Sequence, residues 1–380
     1  MLRTFANPAA VARLDLGVDG PPDRTPMRFH ERLPGYAPTP LVSAPRTAER
    51  LGVARVLVKD ESRRLGLPAF KILGASWAVY DTIRRLTGVE LDHWSTLDDL
   101  RDRLRPLGTR TLVTATDGNH GRAVAHLARL LDWPAQILVP AGTAAARIAD
   151  IGAEGATVEV VDGSYDDAVE LAATRAGDST LVVSDTSWPG YERIPRAVID
   201  GYSTLFHEIT DATDIRPTTV VVQIGVGALA AAAVRHVHTT PGDPRPTLVG
   251  VEPATADCVA VSARGGALAS TPGPHPSIMA GLNAGNPSLV AWPLLLAGID
   301  TFVSIDDEPV HDAMRVLAAD SVVAGETGAA GVAGLLAVHD AGTPGDRVAA
   351  GLTPDATVLV LVTEGATDPA GYERAVGSTR

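Results

Sequence analysis

The sequence predicts an α/β protein whose twisted, mostly parallel sheets form two lobes. Short runs rich in β-branched residues alternate with Ala-, Leu- and Arg-rich helical stretches along the whole chain. Most of these runs are continuously apolar, which is typical of parallel strands that are covered on both faces. Nine such runs are too many for one comfortable sheet, so we expect two sheets.

The predicted elements follow one another as strand and helix. The strand-like runs are 54–60, 110–116, 135–141, 157–163, 179–185, 218–225, 247–253, 301–305 and 357–365. The clearest helical stretches are 121–132, 144–153, 165–176 and 309–320, with a further helix from about Lys71 to Leu86. Residues 88–108 read as a charged insertion with one short helix, and 265–277 read as a Pro/Gly-rich loop.

Composition excludes several classes of protein. The 380 residues carry 45 acidic and 32 basic side chains, a formal charge of −13, without a basic block. We therefore expect no nucleic-acid partner and no membrane partner. The single cysteine, Cys258, excludes an internal disulfide framework and fits a reducing cytoplasm. The first 17 residues include Asp15 and lack a long apolar core, so we expect them to be neither a signal peptide nor a membrane span.

Lysine is rare in this chain, which makes its positions informative. Only Lys59 and Lys71 are lysine among the 32 cationic side chains, and both lie in segment 56–76. Arginine carries surface charge equally well, but a guanidinium stays protonated and cannot form an imine. A retained lysine is therefore a candidate Schiff-base former, with chance retention as an equal alternative. Lys71 follows a turn and begins a helix, where the positive end of the helix dipole favours the neutral amine.

Residues 114–121 (TATDGNHG) lie between a predicted strand and a predicted helix. Such strand-to-helix corners are where α/β proteins place ligands. Asp117, Asn119 and His120 crowd together there, and two glycines give the backbone freedom. The same composition is typical of an ordinary turn in which Asn119 caps the helix, and composition alone somewhat favours that turn.

A glycine loop at 225–227 lies between a buried strand and a helix. Its N–H groups could hold a phosphate at the helix N-terminus. The same loop matches the dinucleotide pattern G-x-G-x-x-A, and the next strand ends in Glu252, near where that fold places its ribose-binding acid. A nicotinamide-dependent dehydrogenase is therefore an open alternative, although it leaves Lys71 without a role.

Weaker candidates end other strands. Asp185 follows one strand and is either a catalytic acid or an ordinary cap, while Thr363 and Glu364 end the last strand. His236 and His238 have no further ligands at metal-site spacing, so they predict a helix surface rather than a metal site. Because no other ligand set, nucleophile elbow or Walker loop is present, we expect no metal.

These motifs, in this order, resemble the fold type II pyridoxal-phosphate enzymes of the tryptophan-synthase-β type, and among them most closely the diaminopropionate ammonia-lyases. The matching segments are 36–41, 59–76, 114–122, 184–191, 223–228, 251–258, 277–282, 326–331 and 363–369. The resemblance implies a homodimer in which each chain binds its cofactor in the cleft between two lobes. Residues 1–75 and 191–380 would form the large lobe, and residues 76–190 the small inserted lobe.

The resemblance also implies a role for each site residue. Lys71 would form the imine with pyridoxal 5'-phosphate, and Asn119 would bond the cofactor's phenolic oxygen. Thr363 would face the pyridine nitrogen, where a neutral hydroxyl leaves the ring a weaker electron sink than an Asp partner would. The remaining cofactor contacts would come from Phe70, Gly225, Val226, Gly227 and Ala228.

Asp117 is the most telling position, because the general serine/threonine dehydratases carry serine there. The resemblance implies that Lys71 removes the Cα proton on one face of a small amino-acid substrate and Asp117 on the other. A carboxylate there could equally recognise the β-ammonium group, and Asp185 would do one of these jobs. The implied reaction is loss of ammonia from D- or L-2,3-diaminopropionate, followed by hydrolysis to pyruvate and a second ammonia.

One loop departs from the family pattern, which usually has a Gly-Glu-Pro step after the MAGL segment. Here the step reads Gly285-Asn286-Pro287, so a carboxylate is replaced by an amide. Another β-substituted alanine therefore remains possible as the substrate. A serine/threonine-type dehydratase, a β-replacement enzyme and a non-catalytic ligand-binding relative also remain open.

Overall fold

The chain, described by a computed structural model over residues 2–15, 22–87 and 94–377, contains two sheets with helices around them. The strands are β1 (Leu2–Ala6), β2 (Leu41–Ser43), β3 (Arg55–Asp60), β4 (Thr111–Ala115), β5 (Ala135–Pro140), β6 (Thr157–Val161), β7 (Thr180–Val182), β8 (Thr219–Gln223), β9 (Thr247–Pro253), β10 (Thr301–Ile305) and β11 (Thr357–Val362).

Fifteen α-helices lie within the described residues. They are α1 (Thr25–His30), α2 (Pro45–Leu51), α3 (Ile72–Thr87), α4 (Leu97–Leu104), α5 (Asn119–Leu130), α6 (Ala145–Ala153), α7 (Tyr165–Ala173), α8 (Arg193–Ala212), α9 (Ala228–Thr239), α10 (Cys258–Gly265), α11 (Trp292–Gly298), α12 (Glu308–Ala319), α13 (Glu326–Ala341), α14 (Pro344–Ala349) and α15 (Pro369–Val376). Residues 88–93, the first part of the predicted insertion, lie outside the described residues. None of the described helices is long and apolar enough to cross a bilayer.

The larger sheet has the strand order β1-β10-β9-β8-β11-β3-β2. Its five inner strands are parallel, and the two edge strands β1 and β2 pair antiparallel with their neighbours. The smaller sheet, β6-β5-β4-β7, is entirely parallel. The carboxyl ends of parallel strands meet at one edge, so each sheet offers one edge for binding a ligand.

The prediction of two mostly parallel sheets is confirmed, because all nine predicted strands are present. The central strand β8 is buried at every position, as its unbroken apolar run predicts. Only β1 and β2 were not predicted. Both are short edge strands whose residues are half-buried or exposed, so their sequences lack a continuous apolar run.

The lobe boundaries remain our proposal, supported by how the strands divide. The strands of the smaller sheet all lie between residues 111 and 182, within the proposed small lobe 76–190. The strands of the larger sheet all lie within 1–75 and 191–380.

The start of α3 is fixed by close packing against α8. A Cβ added at Gly201 in α8 would come within 2.4 Å of the carbonyl oxygen of Leu73, so only glycine allows this approach. His30 also donates from Nε2 to the same carbonyl at 2.9 Å. These contacts hold the residue just before α3, Lys71, in a defined place.

The expectation that His236 and His238 lie on a helix surface is wrong. Both are buried in α9, with exposed fractions of 9% and 2%. Neutral imidazoles tolerate this burial when they are hydrogen-bonded, and each ring has at least one partner. His236 Nε2 bonds Thr210 Oγ1 at 3.1 Å, and His238 Nδ1 accepts the Leu14 N–H at 3.1 Å.

Candidate active site

One cavity of about 770 Å³, including its open mouth, lies where the carboxyl ends of strands from both sheets face each other. Every residue predicted to act or to bind the cofactor lines it: Phe70, Lys71, Asp117, Asn119, Asp185, Gly225, Val226, Gly227, Ala228 and Thr363. These residues come from five separate segments of the chain. Their convergence in one cavity supports the predicted site.

Lys71 lies in this cavity with its amine on a carboxylate. Its Nζ donates to Asp185 Oδ2 at 2.6 Å, and the Lys71 side chain is 20% exposed. Burial by itself would lower the pKa of Lys71, but the Asp185 carboxylate raises it above its ordinary value. The expectation that the helix dipole favours a neutral amine is therefore wrong for this state, because the ion pair outweighs the dipole.

Asp185 is the counterion of Lys71, and two further side chains approach it. Burial opposes ionisation, but the Lys71 ammonium holds the pKa of Asp185 well below its usual range. Tyr165, the first residue of α7, donates to Asp185 Oδ1 at 3.5 Å. Sequence reasoning missed Tyr165. The available signal was an aromatic residue just after a strand-end turn, and many surface helices begin in that way.

His120 is buried beside this ion pair in a neutral form. Its Nε2 bonds the Val183 carbonyl at 2.7 Å, so Nε2 carries the hydrogen and Nδ1 is an acceptor. Nδ1 has no hydrogen-bond partner among the described residues and lies 4.0 Å from Asp185 Oδ2. Burial lowers the pKa of His120 below its ordinary value, which keeps the ring uncharged.

The corner at residues 116–121 presents Asp117 to the cavity. Thr116 Oγ1 accepts the N–H groups of Gly118 at 2.9 Å and Gly121 at 3.0 Å, which fixes the turn. A Cβ on Gly121 would lie 2.3 Å from Thr116 Cγ2, so glycine is required there. The N-cap of α5 is Gly118, so the alternative in which Asn119 caps this helix is wrong.

Asp117 has the pKa of a usable base. Burial raises the pKa of its carboxyl to about 7, with Arg147 opposing the shift and Asp185 adding to it. Asp117 lines both this cavity and a larger chamber beside it, and Arg147 lines that chamber. A pKa near neutral pH suits a group that accepts and returns a proton.

The loop at 225–227 forms a cradle of free N–H groups. Within the described residues, the N–H groups of Gly225, Val226 and Gly227 donate to no acceptor. Gly227 has φ +103°, and a Cβ there would lie 2.5 Å from Leu295 Cδ1. Glycine is therefore favoured at position 227, and the N–H groups of the loop are free to bind an anion at the start of α9.

Thr363 offers a hydroxyl hydrogen to the cavity. Gln223 Nε2 donates to Thr363 Oγ1 at 2.9 Å and to the carbonyl of Leu361 at 3.0 Å. Because an amide N–H only donates, the hydroxyl hydrogen of Thr363 is left for another acceptor. Gln223 was not predicted, although a polar residue ending an otherwise apolar strand is a usable signal.

Glu364 is a second residue that was not assigned a role. Its side chain is buried, with 1% exposed, and Oε2 accepts a hydrogen bond from Asn119 Nδ2. Glu364 does not line the cavity and therefore lies behind Asn119.

The dinucleotide alternative fails at its acidic residue. Glu252 is fully buried and accepts the N–H groups of Val259 and Ala260 at 2.9 and 2.8 Å. Its carboxylate holds the first turn of α10 and cannot reach a ribose. Asn286, where the sequence departs from the family pattern, lies away from the cavity. Its side chain is exposed and bonds Ser270, so this departure does not change the residues that line the cavity.

The cavity fits pyridoxal phosphate at three points. Lys71 supplies an amine, the loop at 225–227 supplies free N–H groups for a phosphate, and Thr363 supplies a hydroxyl donor for a pyridine nitrogen. Within the described residues, no group of three or more His, Cys, Asp or Glu could hold a metal ion.

Comparison with known proteins agrees with this geometry. The model of the family described as "Pyridoxal-phosphate dependent enzyme" matches residues 32–363. Diaminopropionate ammonia-lyase from Escherichia coli (strain K12) is 36% identical over 361 residues, which cover 92% of this chain and 89% of that protein.

Two crystal structures of the Escherichia coli enzyme also match. One, in complex with D-serine, has a TM-score of 0.90 at 33% identity and covers 99% of this chain and 97% of that one. The other, with an aminoacrylate-PLP azomethine reaction intermediate, has a TM-score of 0.88 at 32% identity, with coverages of 99% and 97%. The chain therefore belongs to the pyridoxal-phosphate dependent enzymes, on the branch of the diaminopropionate ammonia-lyases.

Proposed function

We propose that this enzyme removes ammonia from D- and L-2,3-diaminopropionate by α,β-elimination, with water then giving pyruvate and a second ammonia. The observation that carries the proposal is the convergence of Lys71, Asp117 and Asp185 in the cavity that also contains the 225–227 loop. The 36% identity to diaminopropionate ammonia-lyase over most of both chains supports the same substrate.

Pyridoxal phosphate, when bound, withdraws electrons from the substrate Cα and makes its proton removable. In this proposal Lys71 holds the cofactor covalently, and the free N–H groups of 225–227 hold its phosphate. Thr363 donates its hydroxyl hydrogen to the pyridine nitrogen, because Gln223 already occupies the acceptor side of that hydroxyl. Asn119 donates an amide N–H to the phenolic oxygen, and Phe70 and Ala228 complete the walls.

Two groups can take the Cα proton, which allows both enantiomers to react. Lys71 takes it on one face after its amine is released, and Asp117 takes it on the other. The pKa of Asp117, about 7, leaves a substantial fraction of the carboxylate ionised at neutral pH and makes the acid form strong enough to return the proton.

Asp185 recognises the β-ammonium group. It now holds the Lys71 ammonium at 2.6 Å, and the substrate's β-ammonium is the same chemical group. A Lys71 nitrogen that holds the cofactor would no longer present an ammonium group with three N–H donors to Asp185. Asp185 can then accept a charge-assisted hydrogen bond from the substrate.

The test is product release by the cofactor-loaded enzyme from four substrates, D- and L-2,3-diaminopropionate and D- and L-serine. We expect pyruvate and two equivalents of ammonia from both diaminopropionates, at a kcat/KM at least tenfold above that for either serine. A higher kcat/KM for serine would favour a dehydratase and overturn the substrate assignment.

We further propose a homodimer that works in the cytoplasm. The homodimer is the assembly that the family resemblance implies. The single buried Cys258 supports a location in a reducing compartment such as the cytoplasm. Light scattering on the purified enzyme tests the homodimer: we expect twice the 39.4 kDa chain mass, and a monomer would contradict the proposal.

A further inference from the structure

Glu364 is a buried carboxylate without a cation beside it. Among the described residues Glu364 forms no ion pair, and it is 1% exposed. It accepts hydrogen bonds from Asn119 Nδ2, from the Thr327 N–H at 3.2 Å and from Thr367 Oγ1 at 3.4 Å. Burying a charge costs free energy unless hydrogen bonds compensate it, so loss of the bond to Asn119 would destabilise the buried carboxylate.

The surroundings keep Glu364 in place. The Glu364 carbonyl accepts the Gly325 N–H at 3.1 Å, and the following residue, Gly365, donates to the Pro68 carbonyl at 2.9 Å. A Cβ on Gly328 would lie 2.3 Å from the Glu364 carbonyl oxygen, so α13 approaches closely. The carboxylate therefore belongs to a rigid part of the large lobe, while Asn119 begins α5 in the proposed small lobe.

The bond also decides which way the Asn119 amide faces. A carboxylate only accepts hydrogen bonds, so the Asn119 atom next to Glu364 has to be the amide nitrogen. That nitrogen has two hydrogens, and Glu364 takes one of them. The second N–H of the same NH₂ group is then available to the cavity that Asn119 lines.

We propose that Glu364 is a positioning residue: it holds Asn119 across the two lobes so that the remaining N–H of Asn119 faces the cofactor's phenolic oxygen. This inference rests on the role of Asn119 in the proposed function. Glu364 itself touches neither cofactor nor substrate. Its replacement by glutamine, whose NH₂ group can turn toward Asn119, allows the Asn119 amide to flip and present its oxygen instead.

The experiment compares the wild type with Glu364→Gln, Asn119→Ala and the double variant. The affinity for pyridoxal phosphate and the pH midpoint of the bound cofactor's visible absorption band are measured for each. We expect Glu364→Gln to weaken binding roughly tenfold, as expected for one lost hydrogen bond to a charged group, and to move the midpoint. The double variant should be no worse than Asn119→Ala, because both changes remove the same interaction.

Glu252→Gln is the matched control. Glu252 is equally buried and without a cation, but it binds only the backbone at the start of α10. Its variant should change the free energy of unfolding and leave both cofactor measurements as in the wild type. An identical effect of the two glutamine variants on the absorption midpoint would overturn the positioning role.

A swapped pair keeps the test decisive if Glu364→Gln folds poorly. Asn119→Asp with Glu364→Gln restores a cross-lobe hydrogen bond with its polarity reversed. We expect this pair to recover thermal stability relative to Asn119→Asp alone but not the wild-type absorption midpoint. Recovery of both would mean that the cofactor does not need an N–H donor at position 119, which would overturn the inference together with the role of Asn119.

The outcomes also separate this inference from the proposed function. If Asn119→Ala moves the midpoint and Glu364→Gln does not, the inference fails and the role of Asn119 stands. If Asn119→Ala leaves both measurements unchanged, the role proposed for Asn119 fails and the inference fails with it.

Discussion

The two lysines of this chain lie in opposite kinds of surroundings. Lys59 is fully buried in a closed charge cluster, which we define as Lys59, Glu61, Arg64 and Glu208. Its Nζ donates to Glu208 Oε2 at 2.6 Å, and Arg64 bonds both carboxylates. Lys71 also has a carboxylate at 2.6 Å, but its side chain is 20% exposed and opens on the cavity.

The difference shows that pairing with a carboxylate does not by itself decide reactivity. Lys59 also donates to the Thr39 carbonyl at 2.7 Å, and Glu208 accepts from the Tyr36 hydroxyl at 2.8 Å. The charges of the cluster are therefore paired with one another and buried away from solvent. Lys71 has one carboxylate partner, which can exchange it for another ammonium, and empty space beside it. Lysine scarcity alone marks both positions, and only their surroundings distinguish them.

The largest effect should come from Lys71→Ala. It removes both the proposed covalent attachment of the cofactor and one proposed base, so we expect turnover to fall on the order of 10⁴-fold. Pyruvate release in the presence of excess pyridoxal phosphate measures this. The free energy of unfolding of the cofactor-free protein should fall by less than for a fully enclosed ion pair, because the Asp185 carboxylate that loses its partner lines the cavity. A folded variant that retains a tenth of the activity would contradict the assignment.

Lys59→Met should show the reverse pattern. Breaking a buried ion pair typically costs about 3–5 kcal/mol, because the remaining charge loses its partner. We expect that loss in urea unfolding of the cofactor-free protein, with kcat nearly unchanged where the variant is folded. Normal stability together with loss of cofactor binding would reverse our reading of the two lysines.

Asp117→Asn should separate the enantiomers. Because Asp117 is the proposed base on one face only, we expect kcat/KM for one enantiomer of diaminopropionate to fall about 10²-fold, at the low end for a general base. The other enantiomer, which depends on Lys71, should lose much less. Equal losses of kcat/KM for the two enantiomers would rule out Asp117 as the base on one face. Asp185→Asn is the control, because it should lower kcat/KM for both enantiomers.

The smallest expected effect is the pH dependence of kcat/KM for the enantiomer whose Cα proton Asp117 is proposed to remove. A base works only when deprotonated, so a pKa of about 7 means that kcat/KM for the Asp117-dependent enantiomer falls below pH 7. The fall should approach tenfold per pH unit and should be absent in Asp117→Asn. A rate that stays constant from pH 7 to pH 5 would contradict the raised pKa.

Most of the fold could be predicted, because buried parallel strands have continuous apolar sequences. β8 and β11 are examples. The edge strand β1 could not be predicted, because its half-buried residues lack a continuous apolar run. Its pairing with β10 also joins residues about 300 positions apart. The burial of His236 and His238 was missed for a similar reason, because their partners come from distant segments.

The site residues were predicted from motifs, but their interactions were not. Nothing local in the sequence places Asp185 against Lys71, so the raised pKa of Lys71 could not be inferred from its helix position. Glu364 was noted only as a strand-end residue. Its bond to Asn119 joins residues 245 positions apart, which belong to different lobes in our proposal, and no local pattern in the sequence predicts such a contact.

The most direct test of the central claim is to map which lysine reacts. The chain offers only two lysine side chains, so reduction of the cofactor-loaded enzyme with borohydride, followed by peptide mass spectrometry, gives an unambiguous readout. We predict one pyridoxyl group per chain, on Lys71, with Lys59 unmodified. A pyridoxyl group on Lys59, or on neither lysine, would contradict the account.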